Sequence, residues 1–242
     1  MDSELQVGEI QDNNLVEKLR RPDAMSLKGK NRKIYSYINQ SRRGSNFRYK
    51  DFEKTNSYHT DFGQANFSCV SLRSAHMKYC NFNGALFNGT EFVGTNLRGS
   101  SFKGATFKDA IFIQTILDKA NFTGATFENC LFYGTRITGV RGLDRTSDGI
   151  RILSQKPSVN DFSTELIDTI KELKSNDVIR RSHTLHTKHG INTLYLNELL
   201  QEYSEDDLIK LLPKTVKFIS SQFYTLSYLK VLLKKAAKND NI

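Results

Sequence analysis

His183, His186 and His189 have the spacing in this 242-residue chain that most invites chemistry, since imidazoles at short intervals can share a metal ion. On a helix each step of three lags the turn by about 60°, so the outer pair diverge by roughly 120°, poor geometry for one tetrahedral centre. Asp177 is the one carboxylate in the ten residues before them, and no cysteine lies near. They are expected to be surface histidines. No phosphate-cradling glycine loop, Gly-x-Ser-x-Gly or His-Glu-x-x-His occurs. The chain is therefore expected to hold no catalytic residues, cofactor or metal, and not to be an enzyme.

A second set of residues suits an anionic partner. Lys28, Lys30, Arg32, Lys33, Arg42, Arg43, Arg48 and Lys50 fall in a stretch without acids, interleaved with Ile34, Tyr35, Tyr37 and Ile38. The first six could contact phosphate or an acidic protein surface. They could equally be the solvated side of a cap whose apolar residues close the end of a repeat, and the cap is the favoured reading. The net charge of +9 is spread along the chain, which suits a solvated surface better than nucleic-acid binding. No signal-peptide core is visible in the first thirty residues, and no apolar run is long enough to span a membrane. With an odd three cysteines, a reducing, cytoplasmic setting is the expectation; export as an effector without a classical signal stays open.

The element that must position all of these is a repeat of five. Large apolar residues recur from Phe47 through Phe52, Phe62, Phe67 and onward to Ile137, with Ser57 the one break. Two residues before most of them sits a small residue, such as Ala65, Thr90, Ser100 or Cys130, and two after, often glycine, from Gly84 to Gly139. A helix would smear this set around its circumference, and a flat strand would throw alternate members to opposite faces. The chain must instead turn a corner every five residues. Four corners make a coil of twenty, and sorting by twenty gives columns: Phe47, Phe67, Phe87, Phe107, Phe127; Phe52, Leu72, Phe92, Phe112, Phe132; Ser57, Met77, Leu97, Leu117, Ile137; Phe62, Phe82, Phe102, Phe122.

Ala65-Asn66-Phe67, Ala120-Asn121-Phe122 and Thr95-Asn96-Leu97 match a small residue, Asp or Asn, then Leu or Phe, and the string resembles the pentapeptide-repeat family. The resemblance implies a mainly β repeat fold, a right-handed quadrilateral β-helix of four to five coils, followed here by a small α-helical domain. The boundaries expected are a polar and basic cap over 1–44, the β-helix over 45–139, a linker over 140–157 and helices over 158–242. Gln114 and Lys119 replace the corner glycine, where a change of turn type is expected. Ser163, Asn192 and Ser204 start helical stretches, and Pro213 is expected to open the last helix.

One face of the β-helix is unusually apolar. Val93, Ile111, Ile113, Leu131 and Tyr133 flank its centres on the outward side, so an interface is expected there, with the chain's own helices or a second copy over it. The leading functional expectation is a non-enzymatic interaction scaffold for an unidentified protein partner. The family's DNA-mimicking topoisomerase protectors are the alternative, but they need an acidic surface, and 46–139 carries ten basic against seven acidic residues. Effectors joining such a β-helix to a cysteine-dependent ubiquitin ligase form another; here Cys69, Cys80 and Cys130 all lie inside the repeat.

Overall fold

A computed structural model of the chain describes residues 35–220 and 222–239. Its first part is a parallel-strand β-solenoid. Parallel bridges step by twenty residues through Ser36, Asn56, His76, Asn96, Ile116 and Arg136, and through Ser41, Asp61, Asn81, Ser101, Asn121 and Arg141. The stack thus begins ahead of residue 45. On two faces the bridges lengthen into strands. On the Phe107 face β1 (Leu86–Asn88), β3 (Thr106–Lys108) and β5 (Thr126–Glu128) pair in order. On the Phe112 face β2 (Glu91–Val93), β4 (Ile111–Ile113), β6 (Cys130–Tyr133) and β7 (Ile150–Leu153) do the same. Strand β7 lies in the stretch read as a linker; Ile152 pairs with Phe132 and so continues that column.

The columns are stacked ladders. Phe87, Phe107 and Phe127 lie with ring centroids 4.8 and 5.0 Å apart and nearly parallel planes. The small position is shaped by hydrogen bonding as well as by size. Thr90, Thr95 and Ser100 are buried, yet each hydroxyl donates to a carbonyl of the preceding coil, those of Phe67, Leu72 and Met77, at 2.7–2.8 Å. A short hydroxyl side chain therefore serves there as well as alanine.

The turn type does not change at Gln114 and Lys119. Both have φ in the left-handed region, 50° and 60°, beside 62° and 59° at Gly94 and Gly134. The reason is the neighbouring coil: their amides donate to the Tyr133 and Thr138 carbonyls at 2.8 Å, and only the left-handed corner aims them there. The hydrogen bond recovers a conformational cost of about 1–2 kcal/mol.

After a turn of 3₁₀ helix come α1 (Thr164–Leu173), α2 (Asp177–Ser182), the hairpin β8 (His186–Thr187) and β9 (Gly190–Ile191), α3 (Thr193–Leu199), α4 (Glu205–Thr215) and α5 (Leu226–Lys238). Ser163, Asn176, Asn192, Ser204 and Thr225 cap the five helices with their side chains, Ser204 in a capping box with Asp207. Pro213 does not open the last helix. It sits in the final turn of α4, where it forgoes one intrahelical hydrogen bond, that to the Ile209 carbonyl, and 3₁₀ geometry follows at Val216–Phe218. Backbone turns extended at Ile219, so the apolar seam from Leu212 to Leu233 is divided among separate elements.

Candidate interaction surface

The outward residues of the Phe112 face change character along the stack. The first coils present Asp51, Glu53, Ser71 and Arg73, then Glu91 and Val93, and the later ones Ile111, Ile113, Leu131 and Tyr133. Ile111, Ile113 and Leu131 are only 5, 7 and 1% exposed, and Val93 and Tyr133 are half-buried. The chain's own helical region lies over this face. At its polar end the first amide of α5, Leu226 N, donates to Glu91 Oε1 at 2.5 Å. Close approach is allowed by Gly89, where a Cβ would stand 2.5 Å from that of Ser227. Tyr228 meets Tyr49 edge-on, ring centroids 6.1 Å apart. At the far end Arg151 of β7 grips Glu198 of α3.

Glu91 is fully buried in this contact, and burial pushes its carboxyl above the ordinary glutamate range, opposed by Arg73 and by the Leu226 amide. The buried Tyr195 hydroxyl faces the Glu91 carboxyl and the Arg73 side chain, and its contact with Glu91 also opposes the rise of that carboxyl. Burial and Arg73 hold His183 below the usual histidine range. Sequence reasoning missed Glu91, Glu198 and Arg151. Glu91 and Arg151 could have been found by step: 91, 111, 131 and 151 form one column in which two charges bracket Ile111 and Leu131.

The other sequence-derived candidates are not brought together. Lys28, Lys30, Arg32 and Lys33 lie outside the described residues. Arg42 occupies an inward centre of the first coil, its guanidinium 4.6 Å from the Tyr37 ring centroid; Arg43 reaches Asp61 at 3.9 Å. The histidines are not on one helix. His183 is the left-handed cap of α2, His186 is buried in β8 with Nε2 2.9 Å from the Ile170 carbonyl, and His189 is exposed in the hairpin turn. Among the described residues no three His, Cys, Asp or Glu side chains are grouped to hold a metal ion. Burial pushes the Cys69 thiol up to about 12 and those of Cys80 and Cys130 to about 11, far from the thiolate a nucleophile needs.

Among the described residues the Leu117 face stays open. Tyr58, His59 and Tyr79 cluster on it with ring centroids 5.3–5.7 Å apart, Lys78 over the Tyr58 ring. Beyond them Arg98 and Arg136 both bind Asp118, beside exposed Lys119. No helix among the described residues is long and apolar enough to cross a membrane.

Two family models, both described as pentapeptide repeats, match residues 65–104 and 92–140. No curated protein matches the chain. Among solved structures the chain is similar to Rfr23, a pentapeptide repeat protein from the cyanobacterium Cyanothece 51142, at 15% identity, covering 49% of this chain and 88% of that one with a TM-score of 0.33. It is similar to a pentapeptide repeat protein from the Arabidopsis thaliana thylakoid lumen at 20% identity, 66% and 91% coverage and TM-score 0.26. It is also similar to QnrB1, a plasmid-mediated fluoroquinolone resistance protein, at 19% identity, 44% and 67% coverage and TM-score 0.20. The chain therefore carries a pentapeptide-repeat domain, its β-solenoid, followed by a helical region.

Proposed function

We propose that the protein is a non-enzymatic interaction scaffold, in which a stiff β-solenoid with helices fixed along one side offers its remaining surface to a protein partner. The observation that carries this reading is the contrast between faces. The apolar Phe112 face is used up within the chain, whereas the Leu117 face keeps aromatic and basic side chains in solvent, Tyr79 46% exposed among them. Such an amphipathic, rigid array suits specific contacts made with little loss of side-chain entropy. A second copy, if one binds, must use a surface other than Ile111, Ile113 and Leu131.

The test is photo-cross-linking in the full chain, with a benzophenone side chain placed singly at Tyr79, Lys103 or Glu128 on the three solvent-facing sides. A discrete adduct with another protein from at least one position is the expected result. Adducts from none of them would overturn the scaffold reading.

A further inference from the structure

Strand β7 is where the ladder stops, and it stops with its bonding groups unspent. In a lower coil of the same face the Leu72 and Ser74 amides donate forward to the Glu91 and Val93 carbonyls at 2.8 Å, and the Val70 carbonyl accepts from the Glu91 amide at 3.0 Å. Twenty-residue periodicity makes the Ile152 and Ser154 amides and the Ile150 carbonyl the equivalents at the end of the stack. Among the described residues β7 pairs with β6 alone, and no partner meets these three groups. The side chains repeat the message. Phe92 and Phe112 in this column are wholly buried, but Ile152 is 44% exposed. It borders a pocket of about 130 Å³ formed with Phe132, Ile137, Leu143 and Ile150.

We propose that this edge takes up an extended segment of a partner protein as a fifth parallel strand. Its large apolar residue would sit over Ile152 and the pocket, and a small residue two positions earlier over Ile150. The occupant is argued from the ladder: free amides and a carbonyl at strand spacing template another strand, and the inward column dictates its side chains. A second copy packed end to end fits less well. A coil roughly 20 Å across presents about 400 Å² at its end, half of the ~800 Å² per partner of a standard stable interface. The proposal rests on the scaffold reading and names one surface for it.

The probe is a fluorescein-labelled peptide of residues 126–136 carrying Cys130→Ala, titrated against the full chain by anisotropy. Saturable micromolar binding is expected, at least tenfold weaker for a peptide with Phe132→Asp. Ile152→Pro removes the central donor and the apolar side chain from an edge that tolerates proline, and should weaken binding tenfold or more without altering the thermal melt. Should that melt shift, Ser154→Pro, which deletes the neighbouring donor beyond the strand, serves instead. Equal affinity for the wild type and the proline variant, or no saturable binding, would overturn the proposal. So would a dimer in sedimentation that Ile152→Asp dissolves, since a second copy would then own the edge. A chain that fails to bind the peptide yet forms a discrete adduct from Tyr79 would keep the scaffold reading and lose this one.

Discussion

Arg151, in the last strand of the solenoid, and Glu198, in α3, form a two-pronged ion pair, with Nη1 3.1 Å from Oε1 and Nη2 2.5 Å from Oε2. The glutamate side chain is 6% exposed and the arginine 35%. A carboxylate this deep is tolerable only with its charge matched, so the pair ties the end of the repeat to the helices.

Removing the cation alone should therefore be worse than removing both charges. Arg151→Ala is expected to cost about 1–3 kcal/mol, below the 3–5 typical of fully buried pairs because the arginine is partly solvated. The double variant Arg151→Ala with Glu198→Ala should recover part of it in urea unfolding. A zero coupling energy in that cycle would show the contact to be incidental.

How much of this was legible follows from range. The five-residue period is local in sequence, so columns such as Phe87, Phe107 and Phe127 follow from the spacing alone. The apolar face was visible for the same reason: Ile111 and Leu131 are one coil apart. What covers it was not, because Glu91 meets Leu226 across 135 residues and no period links them. The corner at Gln114 was misread because side-chain propensity favours glycine there, while the stacked coil fixes the backbone. Pro213 was misread because proline at a helix start and proline in a last turn leave the same local signature.

The aromatic ladder sets the stability of the repeat. Phe107 is wholly buried and stacks on Phe87 and Phe127. Phe107→Ala should cost about 3–5 kcal/mol through lost burial and a cavity between two rings, and Phe107→Asp should leave no soluble fold. A soluble, cooperatively melting Phe107→Asp protein would refute the inward column.

The interface should respond to pH through Glu91. A carboxyl raised on folding binds protons more readily when folded. It therefore favours the folded state most below its unfolded value of about 4.3, and that contribution is lost as pH rises through the folded value. Glu91→Gln lacks the buried charge, so its melting temperature relative to wild type should climb as the pH rises above about 4.3. His183 and His186, both lowered by burial, act oppositely as the solution acidifies, but they are common to both proteins and cancel in the difference. A gap that stays flat or shrinks with pH would show that the carboxylate is better solvated than its burial implies.

Topoisomerase protection is predicted to be absent. The solvent-facing Leu117 face sets Lys78, Arg98, Lys119 and Arg136 against Asp118, and the acids Asp51, Glu53 and Glu91 are on the helix-covered face instead. A DNA mimic needs the opposite sign. Purified protein should give no recovery of gyrase supercoiling in the presence of a fluoroquinolone; recovery at submicromolar protein would promote that function over the scaffold.

The apolar face gives the most direct test of how the two parts are joined. Ile113 is 7% exposed in an outward position of β4, so an aspartate there would place a carboxylate without a partner under the helices. Its main chain still pairs with Val93 and Tyr133 in the ladder, and those bonds do not depend on the side chain. Ile113→Asp should therefore release the helices by about 3–5 kcal/mol while the solenoid persists. Limited trypsin digestion should then cut at exposed Lys156 or Arg145 and leave a resistant solenoid fragment, with helical circular dichroism melting ahead of the β signal. Unchanged cleavage and a single unchanged melt would mean that the helices do not lean on Ile113. A loss of both transitions together would mean that the solenoid cannot stand without them.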